Sequence, residues 1–318
     1  MHTPHVILGT GAIGRAIMHE LLAQGEAVRM VNRSGHMVEC PTTVAVVAAD
    51  LYDPAAVQRV CADAHVVYHT AQPAYHAWVT QFPALQTAIL TGLTGSTAKL
   101  VLAENLYMYG DTHGAPMSED TPHHAHTRKG RVRSTISQQA FAAHHAGAVR
   151  VTSARGSDYF GPWGLGAALG ERAFIPLIQG KKANLLGNVH IPHTQTYIPD
   201  FGRAMVILGT DDRADGHAWH VPNDQPAISQ HEIMVRAARI LNQPLRYSAI
   251  GPTMLRIAGL FSPAIRETVE MMYEFEQPFI VNAERFEQTF GMQATPIDDA
   301  LATTIAWYQT HIQRTTHA

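Results

Sequence analysis

The chain has 318 residues, a formal net charge of −3 and twenty histidines; hydrophobic residues make up 46% and charged residues 15%. That balance excludes a disordered polymer and leaves ample material for the core of one large α/β domain or of two domains. The charge gives no reason to expect nucleic acid as a partner. Cys40 and Cys61 form no Cys-x-x-Cys, so a reduced, cytoplasmic setting is expected.

In chain order, Met1-His2-Thr3-Pro4 shows no secretory pattern and leads into the apolar run Val6-Ile7-Leu8, read as a strand. Gly9-Thr10-Gly11-Ala12-Ile13-Gly14 follows, and Ile13, Ile17 and Leu21 then fall four apart on one helical face, with Gly25 beyond the end. Strand, Gly-x-Gly-x-x-Gly and helix together predict a dinucleotide-binding turn. Gly9 permits the turn, Gly11 lets a pyrophosphate approach the backbone, and Gly14 lets helix and strand pack closely.

Ala27–Val31 and Val44–Val47 read as the second and third strands. Asp53-Pro54 opens a helix, with Asp as N-cap and Pro in the first turn. Val66–His69 is a fourth strand, and Leu85, Ile89 and Leu93 mark a helix. Lys99–Ala103 is a fifth strand, Arg131 to His145 a helix closed by Gly147, and Val149–Ala154 a sixth strand. Ala64 to Ala98 lacks Asp, Glu, Lys and Arg, but His69, Gln72, Pro73, His76, Gln81 and Pro83 interrupt it, so no membrane span is expected. Alternating strands and helices predict a Rossmann-type α/β fold, a doubly wound parallel sheet with helices on both faces.

After Asp158 the alternation loosens. Gly161-Pro162-Trp163-Gly164 is a loop signal, and Phe174–Ile178 reads as a short helix ended by Gly180. Tyr197–Leu208 starts extended and becomes helical, and Trp219-His220-Val221-Pro222 is a short strand. Ser229 starts a helix, Leu255 to Phe275 is mostly helical with a break at Pro263, and a final helix runs from about Ile297 to His311. The expected organisation is a dinucleotide-binding domain over 1–160, rejoined by about 194–220. A smaller substrate lobe takes 161–193 and 221–318. The histidine groups His123-His124-x-His126 and His144-His145 lack accompanying Cys or paired carboxylates, so no metal site is expected.

In a dinucleotide fold an acidic residue ending the second strand bonds the ribose 2′-OH of NAD, whereas a basic one accommodates the 2′-phosphate of NADP. Here the strand ends Val31-Asn32-Arg33-Ser34. There is no carboxylate; Arg33 offers a guanidinium and Ser34 a hydroxyl. The expectation is NADP, with NAD as the alternative.

Several further stretches form a pattern. They are Ala49-Asp50-Leu51; Val66-Val67-Tyr68-His69-Thr70-Ala71-Gln72; Tyr107-Met108-Tyr109-Gly110 with Pro116, Glu119 and Pro122; Arg155 with Tyr159-Phe160-Gly161-Pro162; and Tyr197-Ile198-Pro199-Asp200 with Arg203-Ala204. Over nearly its whole length the chain resembles the extended short-chain dehydrogenase/reductase superfamily, often labelled NAD-dependent epimerase/dehydratase. The resemblance implies that Asp50 and Leu51 contact adenine and that Thr70, Ala71 and Gln72 pass under the cofactor. It also suggests a homodimer. The chain departs from the superfamily at Leu8, where a first glycine is usual.

It departs more at the active site. The superfamily uses Tyr-x-x-x-Lys after the fifth strand and a Ser or Thr at that strand's end. Aligned on Pro122, the pair becomes Lys129-Gly130-Arg131-Val132-Arg133, and counting back from Tyr109 puts Asn105 at the hydroxyl position, beside Glu104. Lys129 and Arg133 are four apart and share a helical face. Arg133 can donate hydrogen bonds to ribose hydroxyls but cannot act as a base. Its charge favours the neutral amine of Lys129, which could then serve as general base or Schiff-base former. Alternatively both remain cations that grip a phosphate or carboxylate, joined by Arg128, Arg131 and Arg155. Glu104 is either an acid/base or the charge partner of a neighbouring arginine, and Tyr109 is a candidate replacement phenol. Two functions fit: an enzyme of oxidoreductase or epimerase/dehydratase type on a small polar, anionic or neutral substrate, or a non-catalytic NADP-binding sensor.

Overall fold

The computed structural model describes residues 4–259 and 268–316, so the helix break expected at Pro263 lies outside the described residues. The chain forms two compact units. The first comprises the described residues up to Met108, Arg128–Gly156 and Phe201–Val221; the second comprises Tyr109–Thr127, Ser157–Asp200 and the described residues from Pro222 onward.

The first unit contains β1 (His5–Leu8), α1 (Ala12–Ala23), β2 (Val28–Asn32), β3 (Ala45–Ala48), α2 (Pro54–Cys61), β4 (Val66–His69), α3 (Trp78–Leu93), β5 (Lys99–Glu104), α4 (Arg128–His145) and β6 (Arg150–Arg155). The strand Ala218–His220 returns to this unit and pairs with β6. Every pairing in the seven-stranded sheet is parallel, and the spatial order is Ala218–His220, β6, β5, β4, β1, β2, β3. The order reverses between β1 and β4. In open α/β sheets that reversal opens a ligand crevice at the carboxyl ends of the two strands.

Local chemistry explains the elements. Asp53 caps α2, its carboxylate accepting the Ala55 N–H at 2.9 Å with Pro54 in the first turn, a cap contributing about 1 kcal/mol. β1 and β4 are buried throughout, as expected of parallel strands covered on both faces. Val6, Leu8, Val67, Leu100 and Val151 of the sheet form one core with Ile89 and Leu93 of α3 and Ile136 and Ala140 of α4.

The sequence pattern placed the α3 apolar stripe at Leu85, Ile89 and Leu93. The helix begins earlier, at Trp78, and runs through Pro83. Burial of Trp78 and Phe82 in the same core carries the helix past the lost backbone hydrogen bond. Helix α4 likewise starts at Arg128 instead of Arg131.

The second unit has its own core, in which Phe174, Leu185, Tyr197, Ile233, Leu301 and Tyr308 meet. It holds two short parallel pairs: Asp158–Phe160 beside Gln195–Tyr197, and Ala183–Leu186 beside Tyr247–Ile250. Its helix at Gln230–Ile240 opens on a full capping box between Ser229 and Glu232. The long terminal helix spans Ile297–Thr316. Among the described residues no helix is long and apolar enough to cross a membrane.

Candidate functional site

The glycine turn sits at the β1/β4 reversal, and its three glycines do different work. Gly9 has φ +116°, and a Cβ there would lie 2.6 Å from Thr70 Oγ1 and 2.9 Å from the Ala71 nitrogen. A Cβ on Gly14 would strike the Gly9 carbonyl oxygen. Gly9 thus excludes a side chain by its backbone angle and by the end of β4, and Gly14 by the turn itself. Gly11 is different: a Cβ there would meet nothing within 4 Å. It is the N-cap of α1, without a side-chain cap and without an acidic residue in the first turn. The free N–H groups and the positive end of the helix dipole thus face an open space suited to an anion. Ala12 and Ile13 form that first turn. Thr70 closes the turn from β4, its N–H and hydroxyl both donating to the Leu8 carbonyl at 2.9 and 3.1 Å. Ala71 and Gln72 continue from it.

The end of β2 is organised by Asn32. Its carboxamide donates to Thr10 Oγ1 at 3.1 Å and to the His36 carbonyl at 2.7 Å, and its oxygen accepts the N–H groups of Ser34 and Gly35 at 3.1 and 2.7 Å. Asn32 thereby ties the glycine turn to the next loop, the work of an Asx turn. The Ser34 hydroxyl joins the same local network, whereas Arg33 is exposed. Arg15 of α1 donates to the carbonyls of Thr10 and Val38 at 3.3 and 2.8 Å, and so pins both loops from below. Asp50 accepts the Tyr52 N–H at 3.0 Å, and Leu51 is buried beside it.

Two polar clusters lie at the carboxyl ends of β4, β5 and β6. In the first, Glu104 and Arg155 are paired residues of the β5–β6 ladder. Arg155 Nε donates to Glu104 Oε2 at 3.0 Å. The Ser137 hydroxyl of α4 donates to the same oxygen at 3.3 Å and accepts from Arg155 Nη2 at 3.0 Å. All three are buried. Glu104 is thus a charge partner of Arg155, whose Nε and Nη2 serve this pair. Asn105, next along, accepts the Tyr107 N–H at 3.4 Å.

In the second cluster Lys129 and Arg133 lie on the buried stripe of α4 with Val132, Ile136, Ser137 and Ala140. Lys129 is 0% exposed and Arg133 6%. The Lys129 ammonium is 4.4 Å from the centre of the Tyr75 ring, and the Arg133 guanidinium carbon is 4.6 Å from the centres of both Trp78 and Phe82. Beside them His69, at the end of β4, is buried; burial first, and the Arg133 charge second, hold its imidazole neutral, with its pKa lowered to about 3, against an opposing hydrogen bond to Gln86. The sequence reading missed Tyr75, Trp78 and Phe82. Their 3- and 4-residue spacing was the available signal, a stripe otherwise read as core.

Tyr109 belongs to the second unit, is buried, and packs edge-on to His123 at 5.8 Å. His126 packs on Tyr273 at 4.7 Å in that unit.

With this geometry in view, the comparisons identify the class. The chain matches the NAD dependent epimerase/dehydratase family over residues 6–221, and it belongs to that family of NAD-dependent enzymes. A search of curated proteins gave no match. Its fold is shared by solved structures at low identity. A UDP-glucuronic acid 4-epimerase of Bacillus cereus, in complex with NAD, superposes with a TM-score of 0.77 at 15% identity, covering 96% of this chain and 99% of that one. A dTDP-glucose 4,6-dehydratase of Bacillus anthracis, also with NAD, gives 0.75 at 16% identity over 97% of each chain. An epimerase of Methanothermobacter thermautotrophicus gives 0.79 at 13% identity, covering 99% of this chain and 95% of that one.

Proposed function

We propose that the first unit binds a nicotinamide dinucleotide, NADP(H) in preference to NAD(H), and that the protein uses it in an oxidoreductase or epimerase/dehydratase reaction on a small polar substrate. The observation that carries the cofactor reading is the glycine turn, where Gly9 and Gly14 are sterically fixed and Gly11 alone faces open space. That arrangement fits a pyrophosphate lying against the α1 N-terminus. The family's NAD-dependent chemistry supports the same reading. Asp50 and Leu51 are assigned to the adenine side and Thr70, Ala71 and Gln72 to the cofactor's underside. When bound, the cofactor would supply hydride transfer.

The preference for NADP rests on the β2 end. No carboxylate stands there to bond a ribose 2′-OH, the Asn32 carboxamide is engaged in its own loop, and exposed Arg33 is suited to a phosphate. Lys129 and Arg133 take the places of the family's usual Tyr and Lys. Lys129 holds or moves a proton at Nζ, and Arg133 donates hydrogen bonds to the ribose or to an anionic group of the substrate. Asn105 can orient a polar group but transfers no proton. Glu104 is assigned no proton transfer, because Arg155 holds it as a carboxylate partner.

Fluorescence titration with NADPH and NADH tests the reading. NADPH is expected to bind more tightly. Arg33→Ala should weaken NADPH by about 10- to 100-fold, the loss of one charge-assisted contact, and leave NADH nearly unchanged. Absence of saturable binding of either dinucleotide would sink the proposal, and equal losses for both would refute the role of Arg33.

A further inference from the structure

The geometry points to a further binding site, within the second unit, where Asp158 and Gln195 hold an uncharged group that carries two hydrogen-bond donors and one acceptor. The binding does not depend on the dinucleotide; only its identification with a substrate subsite rests on the reading above.

Strand pairing builds the site. Asp158–Phe160 runs parallel to Gln195–Tyr197, with Asp158 opposite Gln195 and Phe160 opposite Tyr197. Residues opposite each other in a ladder project from the same face, and so do residues two apart along a strand. Phe160 and Tyr197 mark that face, since their rings meet at 5.3 Å in the unit's core. Asp158 and Gln195 therefore project side by side. Gln195 is 5% exposed, and among the described residues neither its Oε1 nor its Nε2 has a hydrogen-bond partner. A buried carboxamide with both ends unpaired is rare, because it gives up its bonds to water without replacement. Such a group marks a partner that the chain itself does not supply.

His193 fixes Asp158 beside it. Asp158 Oδ2 lies 2.8 Å from His193 Nε2, and His193 Nδ1 lies 3.0 Å from the Glu274 carbonyl oxygen. A carbonyl only accepts, so Nδ1 carries a proton, and one further proton lies between Nε2 and Oδ2. The pair thus sums to zero charge whichever atom holds that shared proton. The His193 ring is fully buried and stacks on Phe275 at 4.8 Å and on Phe279 at 5.1 Å. It therefore acts as a positioning residue for the Asp158 carboxyl, whose side chain is 20% exposed and whose bond to the ring takes Oδ2 alone. Glu274 adds no charge: burial first, and the Asp158 charge second, push its carboxyl well above the usual carboxylate range, against a hydrogen bond from the Tyr273 hydroxyl.

The ligand's chemistry follows from these atoms. Asp158 Oδ1 and Gln195 Oε1 accept, and Gln195 Nε2 donates. A vicinal diol and a primary carboxamide both complete that set without bringing charge. A phosphate or a carboxylate offers only acceptors to two acceptors, and an ammonium offers Nε2 no acceptor.

Saturation-transfer NMR on the whole protein tests the site, with myo-inositol as the diol and acetamide as the carboxamide, each titrated alone and then against inorganic phosphate. One of the two is expected to bind saturably, and the one that binds names the class. Gln195→Leu and Gln195→Met should each weaken that binding by about tenfold or more. Their ligand-free thermal midpoints should equal or exceed the parent's, because an unpaired buried amide has been removed. Saturable binding of neither probe, or displacement of the bound probe by phosphate, would overturn the site. So would unchanged affinity in both variants, or midpoints that fall in both, since Gln195 would then be a structural group. NADPH titration of the same proteins keeps the two readings apart: a parent that binds its probe but no dinucleotide leaves this site standing and removes only its identification with a substrate subsite.

Discussion

The two polar clusters at the carboxyl end of the first unit's sheet are close in composition and opposite in design. Glu104, Arg155 and Ser137 join β5, β6 and α4 through hydrogen bonds of 3.0 to 3.3 Å, and their opposite charges cancel within the cluster. Lys129 and Arg133 are like charges on one face of a single helix, and they rest on ring faces. A buried carboxylate–guanidinium pair is an inward-looking unit whose value depends on both partners remaining. The Glu104–Arg155 pair braces two strands, whereas Lys129 and Arg133 also meet ring faces.

The sharpest way to break the comparison is Lys129→Met. Turnover of a responsive carbonyl or nucleotide-sugar substrate is expected to fall by about 10²- to 10⁴-fold, the usual contribution of a general acid/base, whereas NADPH affinity moves by less than about threefold. Unchanged turnover would place the proton-transferring group outside the Lys129–Arg133 cluster. Arg155→Met attacks the brace instead. Stripping the guanidinium from buried Glu104 is expected to cost about 3–5 kcal/mol of stability by urea unfolding, with most of the loss recovered in the Glu104→Gln/Arg155→Met double variant, whose site no longer buries a lone charge.

The smallest expected effect concerns the buried histidine beside Arg133. Burial lowers the His69 pKa to about 3, below its ordinary value of about 6.5. The unfolded chain therefore binds more protons than the folded one between these values. Stability is full above about pH 6.5 and declines as the pH falls toward 3, by roughly 2 kcal/mol at pH 5 from this residue. Removing the ring in His69→Gln should flatten that part of the pH–stability curve. A curve of unchanged slope would show that His69 is not held neutral.

The strand–turn–helix at Gly9–Gly14 was legible because its signal is local, an apolar run, the glycine spacing and a helical period, although the space at Gly9 is also closed by Thr70 and Ala71 from the distant end of β4. Asp53-Pro54 and Ser229 were legible as helix starts for the same reason. The parallel sheet followed from alternation, and its order from none of the residues taken singly. The start of α3 was misplaced because Leu85, Ile89 and Leu93 satisfy the helical period without help, while the stretch from Trp78 through Pro83 becomes helical only by burying aromatic rings in the core. Which arginine pairs with Glu104 was not legible, because a sequence displays charge but not the β5–β6 register that sets Arg155 opposite it. The short strands Asp158–Phe160, Ala183–Leu186 and Tyr247–Ile250 escaped notice, since three or four residues carry too little alternation to be distinguished from loop.

By itself the sequence determined the α/β class, the glycine turn at Gly9–Gly14, the lack of a carboxylate directly after β2 and the i, i+4 spacing of Lys129 and Arg133. Each is a matter of residue type and short-range periodicity, which the backbone enforces within one element. The tertiary structure decided what each charge meets. Glu104 and Arg155 are 51 positions apart, and only strand pairing brings them together; Trp78 and Phe82 of α3 and Tyr75 of the turn before it lie far along the chain from Lys129 and Arg133, and only tertiary packing lays the cations on the rings. A charge's environment depends on long-range neighbours, because desolvation and ring faces act through space and leave no periodic mark along the chain.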